Sequence, residues 1–458
     1  MELSVGDIAH IVDGVALGTF DARPRRAVHD SRLVEPGDLF VALKGEQTDG
    51  HRFLVDAFHR GAVAALISEP AALPEEAPSA VVVDCPLRAL QTLAAAWRDR
   101  LSGRVIGITG SFGKTTTRAL LAHVLRETFA THEAPANYNS EIGLPLALLE
   151  MSVQDQAGVF ELGTENPGDI ALLSSILRPT AALVTGIGPS HLAQFGSLKA
   201  IVREKWALIE ALPDEGMAIV NGDDPYLLDR ARTALRNIFT VGVAEGDLRA
   251  SEVRAAPFLE LDLTVPPMTL RTRLLGQHNA TNVLLASACA KALGVPERDI
   301  ERRVASFPPV PHRLEFHETQ ELTLIDDTYN ANPAAMRAAL DVLASCGHAG
   351  SHRLFVYGEM RDLGPSSDGA HQDIARHAQS LGIDRVLPVG DMPERACRSL
   401  PQKMVLAGVS RELLPDLIRQ QLRGSEDVVL IKGSRSLGLD EVVDRLLDSG
   451  DGTRRLAA

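Results

Sequence analysis

Short apolar runs alternate with amphipathic segments of helical length along most of the chain. Among the first hundred residues, the runs predict strands and the segments between them predict helices. The strands are expected at 38–43, 62–68 and 80–84, and the helices near 51–61 and 87–101. The segment 69–78 is rich in proline and glutamate and predicts a surface connection, because proline lacks the N–H that a strand ladder needs. This pattern indicates a small α/β domain.

The same alternation starts again at residue 104 and predicts two further α/β series. Strands are expected at 104–109, 158–162, 180–186 and 216–220, and then at 322–326, 353–357, 384–389 and 427–431. Strands separated by helices usually pair in parallel, with both faces of the sheet covered, so we expect a mainly parallel central sheet. The proline-rich segment 307–311 ends a helix and is typical of a linker. A chain of 458 residues fits roughly three domains, which we place at 1–100, 101–310 and 311–458.

Composition and charge restrict the class of protein. Hydrophobic residues make up 45% of the chain and charged residues 23%, which is typical of a globular protein. The 60 acidic and 46 basic side chains give a formal charge of -14, so we expect no nucleic-acid partner. No apolar run approaches the roughly 18 residues of a membrane span, and the first residues lack the pattern of a signal peptide. We therefore expect a cytoplasmic monomer whose four separated cysteines stay reduced.

A glycine-rich loop joins the predicted strand 104–109 to a helical pattern at 118–127. Its sequence, TGSFGKTTT, contains the short form G-x-x-G-K-T; the longer G-x-x-x-x-G-K-T form is not met because residue 108 is isoleucine. Such a loop points backbone N–H groups at phosphate oxygens, its lysine reaches the outer phosphates, and its threonine ligates magnesium. The predicted nucleotide-binding residues are Gly110, Ser111, Gly113, Lys114, Thr115 and Thr116.

Two further polar residues lie where strands of the central series end. Glu161 ends one predicted strand, and His191 follows the next. Ligands of parallel sheets collect at the carboxyl edge, which these residues share with the glycine-rich loop. Either residue alone is more often structural or solvated, but the shared edge favours a metal-binding and catalytic role for both.

Lys205 interrupts an apolar stripe on the predicted helix 198–212. One interpretation is that its side chain extends past the stripe to reach water. The other is that burial lowers the pKa of the amine, which then reacts with CO2 to form a carbamate that ligates a metal. The helical pattern leaves both interpretations open.

Further segments identify a family. They are DSR at 30–32, PGDLFVALKG at 36–45, NSEIGLPL at 139–146, GQHNATN at 276–282, RLE at 313–315, IDDTYNANP at 325–333 and KGSR at 432–435. Together with the phosphate-binding loop, they resemble the Mur ligases over nearly the whole chain. The resemblance implies a small N-terminal α/β domain, a central ATPase domain with a P-loop and a parallel sheet, and a C-terminal Rossmann-like α/β domain.

The resemblance also implies an ATP-dependent ligase that forms an amide bond. ATP would phosphorylate the terminal carboxylate of UDP-N-acetylmuramoyl-tripeptide, and the amine of D-alanyl-D-alanine would then attack the acyl phosphate. The YNANP string at 329–333 is the feature that most favours this substrate pair. The product would serve peptidoglycan synthesis, and thereby cell shape and division.

Positions that match the motifs of the family carry the implied roles. The residues expected to bind the substrates are Ser31, Arg32, Lys44, Gly45, Asn139, Tyr329 and Asn330. Those expected to bind ATP, in addition to the loop, are Asn279 and Asn282 on the adenine side and Arg313 and Asp327, which would close over the nucleotide from the C-terminal domain. The expected magnesium ligands are Thr115, Glu161, His191 and a carbamylated Lys205, and the expected catalytic residues are Lys114, Glu161, His191 and Lys205.

Some positions depart from the usual pattern of the family. Glu165-Asn166 stands in place of Asn-His, Ser140 in place of asparagine, Ala147 in place of threonine, and His312 in place of glycine. These departures support an alternative, a paralogous ligase that joins a different amine to a different carboxylate. An enzyme like folylpolyglutamate synthase is less favoured, because those relatives lack the N-terminal domain. The intact P-loop argues against a regulator without activity.

Overall fold

The computed structural model describes residues 1–45, 48–190, 192–255, 257–264, 266–348, 350–361, 363–408 and 410–448, apart from the side chain of residue 193. The chain divides into two compact units. One comprises Met1–Val241 and Leu285–Val295, and the other comprises Gly242–Leu284 and Pro296–Ala458. No helix among the described residues has the length and apolar character needed to cross a membrane.

The first unit begins with a five-stranded sheet. Its strands are β1 (Val15–Gly18), β2 (Ala27–Val28), β3 (Leu39–Val41), β4 (Ala64–Ile67) and β5 (Ser79–Val82), in the order β1-β5-β4-β3-β2. Only β1 pairs antiparallel in this sheet. Its helices are α1 (Val5–Ile11), α2 (Leu54–His59) and α3 (Pro86–Arg98), with 3₁₀ turns at Ser31–Leu33, Gly50–Phe53 and Pro70–Ala72. The predicted small α/β domain, with its strands and helices, is confirmed with slightly different bounds.

The second sheet of this unit contains six parallel strands. They are β6 (Arg104–Thr109), β7 (Thr131–Glu133), β8 (Ala157–Glu161), β9 (Ala181–Val184), β10 (Met217–Asn221) and β11 (Ile238–Gly242), in the order β11-β10-β9-β6-β8-β7. The helices are α4 (Lys114–Leu125), α5 (Gly143–Glu150), α6 (Asp169–Leu177), α7 (Leu192–Phe195), α8 (Leu198–Glu210) and α9 (Pro225–Thr233). The prediction of a parallel sheet is confirmed.

The strand order explains where a ligand site should form. The chain runs from β6 to β7 and β8 on one side and then to β9 on the other side of β6. Such a reversal opens a crevice at the carboxyl ends of the central strands. The glycine-rich loop follows β6, and Glu161 is the last residue of β8, so both lie at this crevice.

The second unit contains an antiparallel meander and another parallel sheet. The meander strands are β12 (Leu248–Ala255), β13 (Phe258–Thr264) and β14 (Pro267–Leu275). The sheet strands are β15 (Glu315–Glu318), β16 (Thr323–Asp327), β17 (Arg353–Gly358), β18 (Arg385–Val389) and β19 (Val428–Lys432), in the order β15-β16-β19-β17-β18, with only β15 antiparallel. The strands predicted in this region are confirmed, whereas the meander and β15 were not predicted.

Helices cover both faces of the last sheet. On one face lie α12 (Pro333–Ser345), α13 (Ser367–Ser380) and α14 (Asp391–Cys397), and on the other lie α15 (Leu414–Gln421) and α16 (Asp440–Asp448). Two further helices precede this sheet in the chain, α10 (Asn279–Ala292), which contains the boundary between the units, and α11 (Glu297–Ala305), which packs on β14. Short 3₁₀ turns lie at Gly364–Ser366, Gln402–Met404, Arg411–Leu413 and Arg435–Leu437. The segment 307–311 forms neither helix nor strand, as expected of a linker. All four cysteines are free thiols, as predicted.

Candidate active site

The glycine-rich loop turns sharply between β6 and α4. Gly110 has a φ of 151° and Gly113 a φ of 78°, in a region that side chains with a Cβ rarely occupy. A Cβ placed on Gly110 would lie 2.1 Å from Oγ1 of Thr185. Glycine is therefore required at position 110 both by the backbone conformation and by the close approach of Thr185, which directly follows β9.

Hydrogen bonds from the segment after β9 hold the loop in place. The Ser111 N–H donates to the carbonyl oxygen of Gly186 (2.8 Å), and its hydroxyl donates to the carbonyl oxygen of Gly188 (3.1 Å). The Thr185 hydroxyl donates to the carbonyl oxygen of Phe112. These bonds fix the loop backbone, so its N–H groups are positioned in advance for phosphate oxygens.

Lys114 is the first residue of α4 and lies over the loop. Its Nζ donates to the carbonyl oxygen of Gly110 at 2.7 Å. The next residues, Thr115 and Thr116, lie in the first turn of the same helix, where the helix dipole favours anions. The structure thus brings together all six nucleotide-binding residues predicted in the loop.

Glu161 links the loop to a neighbouring segment. One of its carboxylate oxygens accepts the Thr115 hydroxyl (2.9 Å), and the other accepts Nδ2 of Asn139 (2.9 Å). Glu161 is only 6% exposed. A buried carboxylate beside a threonine hydroxyl offers the oxygen ligands that magnesium prefers.

Lys205 lies on the buried face of α8 and is only 2% exposed, so the interpretation in which it reaches water is wrong. Burial, and then the positive charge of Lys114, lower the pKa of its amine from the ordinary 10.5 to about 7, although Glu204, Asp169 and Glu161 act in the opposite direction. About half of the amine is therefore neutral near pH 7, and only a neutral amine can react with CO2.

His191, predicted to join this group, lies outside the described residues. The strand before it, β9, and the helix after it, α7, are both described. Its position relative to Glu161 therefore stays a prediction.

The positions predicted to bind the UDP-linked substrate lie in the segments that follow the two parallel strands β2 and β3. Ser31 is buried at the start of a 3₁₀ turn, and the exposed Arg32 pairs with Asp30 at 2.6 Å. Lys44 is exposed, with its Nζ 3.8 Å from the carboxylate of Glu69. The Gly45 N–H donates to the carbonyl oxygen of Thr48 at 2.9 Å.

In the second unit, four of the predicted positions lie close to one another. The Arg313 guanidinium lies over the Tyr329 ring at 4.0 Å from its centroid. Asp327 pairs with Lys432 at 2.7 Å, and Lys432 also donates to the carbonyl oxygen of Asn330 at 2.7 Å. Lys432 is 2% exposed, so this ion pair is largely shielded from water. The buried lysine thus connects two of the predicted site residues.

The two asparagines at the start of α10 are also buried and bonded to each other. Nδ2 of Asn282 donates to Oδ1 of Asn279 at 2.8 Å, and Nδ2 of Asn279 donates to the carbonyl oxygen of Leu275 at 2.8 Å. This arrangement fixes the orientation of both amides at the end of β14.

Three family descriptions match the chain in sequence. They are "Mur ligase family, catalytic domain" at residues 28–98, "Mur ligase middle domain" at 108–290 and "Mur ligase, glutamate ligase domain" at 312–435. The UDP-N-acetylmuramoyl-tripeptide–D-alanyl-D-alanine ligase of Synechocystis is 33% identical over 457 residues, which cover 97% of this chain and 98% of that protein. The chain belongs to the Mur ligase family.

Solved structures agree with this assignment. MurF from Acinetobacter baumannii superimposes with a TM-score of 0.86 at 31% identity, covering 98% of this chain and 99% of that one. MurF from Thermotoga maritima in complex with ADP gives a TM-score of 0.80 at 28% identity, covering 92% and 97%. The three-domain α/β fold predicted from the sequence is therefore that of a Mur ligase.

Two residues of this Mur ligase were missed by the sequence analysis. Glu204 is buried next to Lys205 and accepts the N–H groups of Gly168 and Ile170, each at 2.8 Å, which holds the start of α6. Lys432 belongs to the matching segment at 432–435, which by itself predicts no role for this residue. Lys432 ends the apolar run 428–431, and Glu204 has Ile201 and Leu208 at helical spacing, but neither pattern reveals a partner far away in the chain.

Glu165 and Asn166, which differ from the residues usual in the family, lie in a turn whose backbone is held by hydrogen bonds. The N–H groups of both residues donate to the carboxylate of Asp169 at 2.8 Å, while both side chains are exposed. The turn follows β8, directly after Glu161. The substitution thus changes the exposed charge of the turn while its backbone is held by Asp169.

Proposed function

We propose that this chain is an ATP-dependent ligase that adds D-alanyl-D-alanine to UDP-N-acetylmuramoyl-tripeptide through an acyl phosphate. The observation that carries the proposal is the cluster of Thr115, Glu161 and the deeply buried Lys205 around the phosphate-binding loop. It is found in a chain that matches ligases of that name over nearly its whole length. The product is a peptidoglycan precursor, and we expect the enzyme in the cytoplasm.

Each domain has a separate role in this proposal. Residues 1–100 bind the UDP-linked substrate, with Ser31, Arg32, Lys44 and Gly45 as contacts. Residues 101–310 bind ATP through the loop and through Asn279 and Asn282. Residues 311–458 bind the dipeptide and contact ATP through Arg313 and Asp327. Asn139, Tyr329 and Asn330 complete the proposed substrate contacts.

Positioning and electrostatics carry the reaction. The loop N–H groups and the Lys114 ammonium hold the phosphates and offset the charge that develops as the outer phosphate moves to the substrate carboxylate. The loop backbone is already held by Ser111 and Thr185, so little reorganisation is needed when ATP binds. Exclusion of water would protect the acyl phosphate until the amine attacks.

Thr115 and Glu161, together with His191, are the residues that would hold magnesium. The donor set fits, because hydroxyl and carboxylate oxygens from adjacent elements converge and Glu161 is buried. When bound, magnesium supplies positive charge to the phosphate oxygens. Asn139 keeps the second oxygen of Glu161 oriented.

Lys205 is proposed to carry a carbamate. Its lowered pKa supplies the neutral amine that CO2 requires, and its burial would protect the carbamate from water. The modification would convert a buried cation into an anion, which the Lys114 ammonium favours, while the carboxylates of Glu204, Asp169 and Glu161 act in the opposite direction.

The proposal is tested by the dependence of phosphate release on each substrate. Purified enzyme with ATP and magnesium should release phosphate only when UDP-N-acetylmuramoyl-tripeptide and D-alanyl-D-alanine are both present. Omission of either should reduce release to the background seen with a Lys114→Met variant. Release that does not need the dipeptide would contradict ligase activity.

A second candidate, a Mur-type ligase for a different amine or carboxylate, is favoured by the exposed Glu165 in the turn after Glu161. A carboxylate here would attract a cationic group on a substrate. The same assay with a panel of amines and UDP-linked peptides separates the two candidates. The second candidate would be established if another pair of amine and UDP-linked peptide gave a higher kcat/KM, and if this kcat/KM fell when Glu165 is replaced by asparagine.

A further inference from the structure

His312 adopts a backbone conformation that is unusual for a residue with a side chain. Its φ is 61°, in the left-handed region that glycine favours. It stands between the linker 307–311 and the strand β15, directly before Arg313. A strained position next to a proposed ATP-binding residue raises the question of what holds it there.

The imidazole ring is bonded to a buried carboxylate. Nδ1 of His312 lies 2.7 Å from Oδ2 of Asp326, which is 1% exposed. The other oxygen of Asp326 accepts the N–H and the hydroxyl of Thr328, at 3.0 and 2.7 Å. Because carboxylate oxygens accept hydrogen bonds, we assign Nδ1 of His312 as the donor of this bond.

The backbone of His312 is fixed at both of its polar groups. Its N–H donates to Oε2 of Glu315 at 3.0 Å, and its carbonyl oxygen accepts the N–H of Tyr329 at 3.2 Å. Ring and backbone thus tie the turn to both β15 and the segment after β16. The turn places the next side chain, Arg313, over the Tyr329 ring at 4.0 Å.

We propose that His312 is a positioning residue for Arg313. The ring hydrogen bond to Asp326 stabilises the left-handed turn, and this turn directs the Arg313 guanidinium onto Tyr329. The inference rests on the proposed role of Arg313 in binding ATP. It assigns a specific purpose to a histidine whose backbone conformation would suit glycine.

A metal ion is the competing occupant of this cluster. His312, Glu315 and Asp326 place one ligand atom each within 4.8 Å of one another. However, the 2.7 Å and 3.0 Å contacts described above are hydrogen-bond distances, and each joins a donor to an acceptor. The cluster is therefore explained by hydrogen bonds between its own members.

Three substitutions separate the contributions of ring and backbone. Asparagine tolerates the left-handed conformation and places Nδ2 where Nδ1 of histidine lies, so His312→Asn should retain the bond to Asp326. His312→Gly keeps the backbone and loses the bond, and His312→Ala loses both. Asp13→Gly is the matched control, because Asp13 also has a left-handed φ (52°) but is remote in sequence from all of the proposed site residues.

The primary measurement is the dissociation constant of the ATP analogue AMP-PNP with magnesium, by calorimetry. We expect His312→Asn to bind within about twofold of wild type, and His312→Gly and His312→Ala to bind about fivefold or more weakly, as for the loss of one hydrogen bond. Asp13→Gly should bind as wild type does. Equal affinity in all variants, or failure of asparagine to preserve binding, would overturn the proposal.

Spectra of protein labelled with [15N]arginine report the position of Arg313 directly. The Tyr329 ring should shift the Arg313 side-chain signal in wild type and His312→Asn, and this shift should be lost in His312→Gly. If wild type failed to bind AMP-PNP, the proposed function would be wrong, while this spectrum would still show whether His312 positions Arg313. A rise in melting temperature on adding zinc to wild type but not to His312→Asn would replace the proposal by a metal site.

Discussion

Replacement of Lys205 by methionine should stabilise the protein while removing its activity. The lysine side chain is 2% exposed and lies among apolar residues of α8, so its ammonium form is held away from water. Methionine has a similar length, is flexible and carries no charge, so it should fill the same space. If Lys205 carries the proposed carbamate, methionine cannot replace it and ligation should stop.

The size of the stabilisation follows from the pKa. Lowering the pKa from 10.5 to about 7 means that the charged form is disfavoured in the folded state. At 1.36 kcal/mol per tenfold change, the penalty below pH 7 is on the order of 5 kcal/mol. Between pH 7 and 10.5 the unfolded state binds more protons, so the stability of wild type rises with pH in that window. The variant lacks this dependence.

The assay is thermal unfolding without nucleotide in buffer depleted of CO2, at about pH 6.5 and about pH 9. For a folding unit of this size, a change of 1 kcal/mol in the free energy of unfolding shifts the melting temperature by about 2–4 °C. Lys205→Met should therefore melt several degrees above wild type at the lower pH, and this difference in melting temperature should be smaller at the higher pH. Lys199→Met, at an exposed lysine on the same helix, should melt within about 2 °C of wild type at both values. A difference that does not change with pH would refute the reasoning.

Three further substitutions test the phosphate site. Lys114→Met should reduce ATP turnover by about 10²-fold or more, because the ammonium that faces the phosphates is lost, and phosphate release measures this. Glu161→Gln keeps an oxygen that can accept the Thr115 hydroxyl but loses the negative charge. The magnesium concentration for half-maximal activity should therefore rise about tenfold or more. An unchanged magnesium dependence would show that Glu161 is not a magnesium ligand. Gly110→Ala should abolish AMP-PNP binding in calorimetry, because its Cβ would lie 2.1 Å from Oγ1 of Thr185.

The parts of the fold that could be predicted from the sequence are those with strong local signals. Strands such as β6 and β8 are buried on both faces and therefore show continuous apolar runs, while the loop between β6 and α4 has its own glycine pattern. Glu161 was identifiable because it ends such a strand. The apolar stripe around Lys205 indicated a place on the buried face of α8 but left open whether its amine reaches water, and only the structure, in which the side chain is 2% exposed, decides this.

The remaining features depend on contacts that are distant in sequence. The strands β12 to β14 carry charged residues on alternate positions, and these form cross-strand pairs such as Arg254 with Glu260. Glu204 bonds to backbone N–H groups more than 30 residues earlier, and Lys432 reaches Asp327 across adjacent strands. The left-handed conformation of His312 likewise depends on Asp326, which belongs to another strand. No local sequence pattern around these residues indicates which distant residue each of them will contact.

The most direct test of the proposed ligase is the mass of its product. The enzyme is incubated with ATP, magnesium, UDP-N-acetylmuramoyl-tripeptide and D-alanyl-D-alanine, and the UDP-linked species is analysed by mass spectrometry. We predict a mass equal to the sum of the two substrates less one water, formed by wild type and not by Lys114→Met. Release of phosphate with the UDP-linked substrate unchanged in mass, or formation of a product only with a different amine, would contradict the proposed function.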